Sequence, residues 1–122
     1  MITINLGIDN SPYVSQEDIL QFFELFFIID KSTLNFRFKY STYVANNKTI
    51  NEKTAVFNVY PRYYDYLTDV DNNIKKLCSI FNQDCIAYYH NSAVDKLNFG
   101  KLIYNIKHKG QKETFNLNYF IQ

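Results

Sequence analysis

The strongest constraint on the fold is a helical stripe that runs almost directly into a strand. Val70, Ile74, Leu77, Cys78 and Phe81 recur at spacings of four, three, one and three, which is one face of an α-helix. Three residues later the helical pattern has gone, and 84–89 reads as a buried strand. A chain that makes this switch needs a sheet for the strand and a place on that sheet for the helix. The second half is therefore α+β in character.

The first half repeats the theme. Ile2, Ile4, Leu6 and Ile8 alternate, as one face of a strand does. After the loop at 9–12, Ser15 stands where a helix N-cap belongs, with Asp18 three residues on. The run 19–29 is predicted to be helical. Nine of its eleven residues are apolar, so it needs cover on more than one side, and part of that cover is expected from a second copy of the chain. Alternation returns at 34–44, where Leu34, Phe36, Phe38, Tyr40 and Thr42 face one way and Asn35, Arg37, Lys39 and Ser41 the other. A turn at 45–49 and a strand at 54–61 complete a hairpin. Thr68, with Asp71 three residues later, is the expected cap of the second helix. Further strands are expected at 99–106 and, as a short strand or irregular tail, at 114–121, on either side of a turn at 107–112. The order β-α-β-β-α-β-β predicts one α+β domain over 1–122, a mainly antiparallel sheet carrying two helices. A ferredoxin-like core with an added strand is one compatible topology.

Composition narrows the function. The 122 residues include eleven Tyr, eleven Phe and no Trp, enough rings to fill a core and leave some for a surface or pocket. Net charge is +1, which excludes a strongly basic binder of long nucleic acid. The charge is distributed in blocks: residues 1–30 hold five acids and no Lys or Arg, whereas 31–62 hold six bases and one acid. Cys78 and Cys85 lack partners at metal-ligand spacing and are expected to be free and buried. No run is long and apolar enough to predict a membrane span.

Linear catalytic signatures are missing. There is no phosphate-loop pattern, and His90 and His108 belong to no paired-histidine motif. In a strand, Cys85 and His90 point to opposite faces about 17 Å apart, too far for a nucleophile and its base. Asp65, Asp69 and Asp71 fall at a helix start, where capping and the helix dipole account for them. The expectation is a binding protein rather than an enzyme, with no cofactor and no metal. Two segments carry recognition chemistry. The connector 60–66 sets Arg62 among four tyrosines, and the turn 107–112 gathers Lys107, His108, Lys109 and Lys112. Rings and cations together suit a small nucleotide.

The passage FNQDCIA at 81–87, followed by Asn91 and by GKLI at 100–103, resembles the first type of phage Thoeris anti-defence proteins. That resemblance implies a small oligomeric sponge in the host cytoplasm that sequesters a cyclic ADP-ribose-type or other cyclic nucleotide signal. It would place the base-stacking ring at Phe81 and a polar ligand contact at Asn91. Phosphate contacts would fall on His108, Lys109 and Lys112, with Arg62 as the nearby guanidinium, where the family pattern prefers arginines. The oligomer would form through the apolar helix 19–29. Core packing is the competing role for Phe81. A protein-binding inhibitor or adaptor of a host defence protein is the alternative function.

Overall fold

The computed structural model describes residues 1–45, 47–62, 67–91, 99–105 and 112–116, with the side chains at 43–45, 50, 67–69, 99 and 112–116 left aside. The fold is α+β. The elements run β1 (Ile2–Gly7), α1 (Gln16–Phe23), β2 (Phe27–Ile28), β3 (Arg37–Ala45), β4 (Lys48–Pro61), α2 (Leu67–Ile80), β5 (Cys85–His90), β6 (Phe99–Tyr104) and β7 (Lys112–Asn116).

Among the described residues the strands form one seven-stranded sheet, in the order β2-β4-β1-β5-β6-β7, with β3 also on β4. Every pairing is antiparallel. β4 is the spine. Its first nine residues pair with β3, its end pairs with β2, and Thr54 to Val59 pair with β1 on the other side. The central order β3-β4-β1-β5 is that of a ferredoxin-like split βαβ, extended past β5 by β6 and β7.

Alternation decides what each face carries. Ile2, Ile4 and Leu6 stand opposite Val59, Phe57 and Ala55 and meet both helices. Ile19 and Phe23 of α1, and Val70, Ile74, Leu77 and Cys78 of α2, close the same core. The stripe read from the sequence of α2 is thus its buried face. Ser15 caps α1, its side chain accepting from the Asp18 N–H at 3.2 Å. α2 ends in a Schellman motif: the Gln83 N–H donates to Cys78 O at 2.9 Å and the Asn82 N–H to Ser79 O at 3.3 Å. Asn82 takes φ 52°, a conformation asparagine tolerates, and this turn delivers the chain into β5.

Two expectations are corrected here. The run 19–29 is not one helix: α1 stops at Phe23, and Phe27–Ile28 pairs with Pro61 and Tyr60 as β2. The run is apolar all round because it is two elements, each with its own buried residues, Phe23 on the first and Phe27 on the second. α1 and β2 stand where a continuous apolar helix was expected to form an oligomer contact. The second correction concerns Thr68, which lies inside α2 and not at its cap position. The helix begins at Leu67, and Asp71 turns inward to accept a hydrogen bond from the Tyr88 hydroxyl. Lys101 Nζ lies 3.9 Å from the other carboxylate oxygen. Neither cysteine forms a disulfide; Cys78 is buried and Cys85 half-buried. No helix among the described residues is long and apolar enough to cross a membrane.

Candidate functional site

The face of the sheet turned away from the helices carries polar side chains. Period two places Asn35, Arg37, Lys39 and Ser41 on that face at β3, Asn58, Val56 and Thr54 at β4, and Thr3, Asn5 and Gly7 at β1. Tyr89 and Ala87 continue it on β5, and Leu102 and Tyr104 on β6. A cavity of about 350 Å³ opens at one end of this face. Its polar lining comes from Thr3, Thr33, Asn35, Arg37, Asn58 and Asn91, with Tyr89 as an aromatic wall.

Hydrogen bonds hold this lining in place. Asn91 Nδ2 donates to Thr3 Oγ1 at 2.7 Å, and the Asn91 N–H donates to Met1 O at 2.9 Å. Asn58 acts as a post for the incoming chain: its Nδ2 donates to Thr33 O at 3.0 Å, and its Oδ1 accepts from the Asn35 N–H at 2.7 Å. Amides fixed in this way present donors and acceptors at set positions, which is how a pocket orients a polar ligand.

The electrostatics favour an anion. Arg37 and Lys39 are neighbours on the face, and Lys39 is held below the ordinary lysine value of 10.5, by burial first and by the Arg37 charge second. At the other end of β1, a cavity of about 560 Å³ is lined by Asp9, Glu52 and Asp84 with Asn82 and Gln83. Among the described residues no cation lines it, and the Gln83 and Asn82 amides are already engaged. Gln83 Nε2 donates to Asp9 O at 2.8 Å and Asn82 Nδ2 to Asn10 O at 3.3 Å. The first cavity, which combines a cation, amides, hydroxyls and a ring, is the better recognition site.

Of the residues predicted from sequence, the three whose side chains are described, Phe81, Asn91 and Arg62, are not brought together. Asn91 lines the cavity. Phe81 does not. It is fully buried, its ring 5.8 Å from those of Phe22 and Phe23 and 6.2 Å from that of Tyr13, so no ring face is open to a base. Of the two roles weighed for Phe81, the structure places it in the core. Arg62 lies at the end of β4, where its Nη2 donates to the Glu24 carbonyl at the C-terminus of α1; it caps a helix and does not line the cavity. His108 and Lys109 lie outside the described residues, as do 63–66 of the tyrosine connector. Lys112 is in β7 opposite Ile103, and its side chain is not described.

Sequence reading missed Arg37, Asn58, Thr3 and Tyr89. The signal available was the parity at 35–41, which sets Asn35, Arg37 and Lys39 on one face. What that parity lacks is the strand order that lays this face beside Asn58, Thr3 and Tyr89.

No family model matches the chain, and comparison with curated proteins found none similar. Among solved structures, a phage SAM lyase in complex with S-methyl-5'-thioadenosine is similar to it at a TM-score of 0.44 and 12% identity, covering 98% of this chain and 90% of that one. That neighbour is a phage protein with a small nucleoside-like ligand. The expectation that the chain is not an enzyme does not stand beside it, because the neighbour is a lyase. The expectation rested on missing linear motifs, which say nothing about side chains that a sheet gathers from separate strands.

Proposed function

We propose that this face of the sheet binds a small nucleotide, with the phosphate on Arg37 and Lys39 and the base in the cavity beside Tyr89. The observation that carries the reading is the lining of the 350 Å³ cavity: beside Met1, Val56 and Phe57 it has three asparagines, two threonines, one tyrosine and one arginine, drawn from four separate segments. Its volume falls within the range of small-molecule sites, roughly 300–1,000 Å³. Guanidinium groups bind phosphate bidentately, amides pair with base edges, and a tyrosine ring stacks on a base. The cyclic nucleotides implied by the family resemblance belong to this ligand class.

A thermal-shift panel tests the proposal. It contains nucleoside monophosphates, cyclic mononucleotides, cyclic ADP-ribose and S-methyl-5'-thioadenosine, with chromatography of each ligand after incubation. At least one phosphate-bearing nucleotide is expected to raise the melting temperature, and the neutral thioadenosine is expected to do so less. A panel in which no nucleotide shifts the protein contradicts the proposal. The chromatogram reads, in the same experiment, whether the bound ligand leaves unchanged or converted.

A further inference from the structure

Asn5 lies at the centre of the same face, one position along β1 from the cavity residue Thr3 and opposite Val56. Its side chain is 5% exposed, and its Oδ1 accepts no hydrogen bond. A buried acceptor without a donor is costly, and native structures keep few of them without a use. Asn5 lines a pit of about 10 Å³ together with Gly7, Glu52, Thr54, Cys85, Ala87 and Leu102. A pit of that size holds about one water-sized group.

The Glu52 carboxylate is seated against Gly7, so close that a Cβ there would lie 2.5 Å from it. The Thr54 hydroxyl directs its proton away, to Glu52 O at 3.4 Å. Ala87 and Leu102 are apolar. The unmatched acceptor in the pit is Asn5 Oδ1, which selects a group that donates. The pit also stands at a fixed distance from the cation. The row Arg37–Val56–Asn5 crosses two strand spacings, about 9–10 Å. That separation suits a nucleotide whose phosphate and far base edge are both held.

We infer that Asn5 sets the base specificity of the site: the ligand is a nucleotide with an exocyclic amine, and that amine enters the pit and donates to Asn5 Oδ1. The inference rests on the nucleotide reading above and adds the chemical class of the base.

The test compares probe pairs that exchange an amine for a carbonyl oxygen, AMP against IMP and CMP against UMP, by calorimetry on the wild-type chain and on Asn5→Leu. For at least one pair, the wild type is expected to bind the amino member about tenfold or more tightly, since a carbonyl would set acceptor against acceptor. Asn5→Leu is expected to reduce that preference to within about threefold. Its melting temperature should hold or rise, because an apolar isostere removes the unmatched oxygen. Equal binding of both members by the wild type overturns the inference and leaves the nucleotide reading intact. A preference for the carbonyl member also overturns it. If no probe binds the wild type, both readings fall.

Discussion

Phe81→Ala is expected to destabilise the protein by about 3–5 kcal/mol, the usual cost of deleting a fully buried phenyl ring. The ring is 0% exposed and meets Tyr13, Phe22 and Phe23, so it ties the loop after β1, helix α1 and the end of α2 together. Its carbonyl accepts from Gln83 Nε2 at 2.9 Å, within the turn that starts β5. A domain of this size has about 5–15 kcal/mol in total, so the loss takes a large share of it. Urea unfolding followed by circular dichroism measures it as a fall in midpoint at unchanged slope. Phe81→Leu, which keeps most of the volume, is expected to lose much less. A Phe81→Ala variant with the stability of the wild type and impaired nucleotide binding would return Phe81 to the role of pocket wall.

The second large effect is expected at the Tyr88–Asp71 pair. Tyr88 is fully buried and Asp71 is 3% exposed, and the hydroxyl donates to the carboxylate between β5 and α2. Asp71→Ala leaves a buried hydroxyl without this acceptor and is expected to lose about 2–3 kcal/mol, the range for a hydrogen bond to a charged group. Tyr88→Phe removes one donor from a buried carboxylate that keeps Lys101 nearby, and is expected to cost less. The double variant should lose less than the sum, because the second change removes a group already left unmatched. The pair also sets an alkaline limit. Burial first, and then the hydrogen bond to Asp71, raise the Tyr88 pKa above the ordinary value of 10.0. A group raised in the folded state contributes stability that is whole below the unfolded value and is lost as pH climbs beyond it. Stability is therefore expected to fall above about pH 10, and to fall less steeply in Tyr88→Phe. An alkaline limb identical in both proteins would contradict this account of the pair.

Much of the architecture was legible in local pattern. The parity of 2–8 and of 34–44, the Ser15 cap and the stripe from Val70 to Phe81 all describe contacts within one element, and each reappears in the structure. The run 19–29 misled because a short, mostly apolar segment has little period, and periodicity cannot separate the end of a helix from a following strand. The turn at 24–26 carries no Gly or Pro to mark the change. The Tyr88–Asp71 pair was hidden for a different reason. An acid in the first turn of a helix has a sufficient local explanation, and nothing nearby in sequence points to a hydroxyl 17 residues away. The site was the least legible feature. Arg37, Asn58, Thr3 and Tyr89 meet only through the order β3-β4-β1-β5, which depends on pairings between distant segments. Arg62 and Phe81 attracted attention as a cation and a ring in suggestive passages, and the fold uses both for structure.

The central claim is that the polar face of the sheet, and not the helix-covered face, holds a nucleotide against Arg37. The most direct measurement is an amide NMR titration of the wild type with AMP, repeated on Arg37→Glu. Shifts are expected to centre on Thr3, Asn35, Arg37, Asn58, Tyr89 and Asn91, and the charge reversal should weaken binding about tenfold or more, since it replaces a phosphate partner with a like charge. Shifts confined to α1, α2 and the core beneath them, or an Arg37→Glu protein that binds as tightly as the wild type, would contradict the claim.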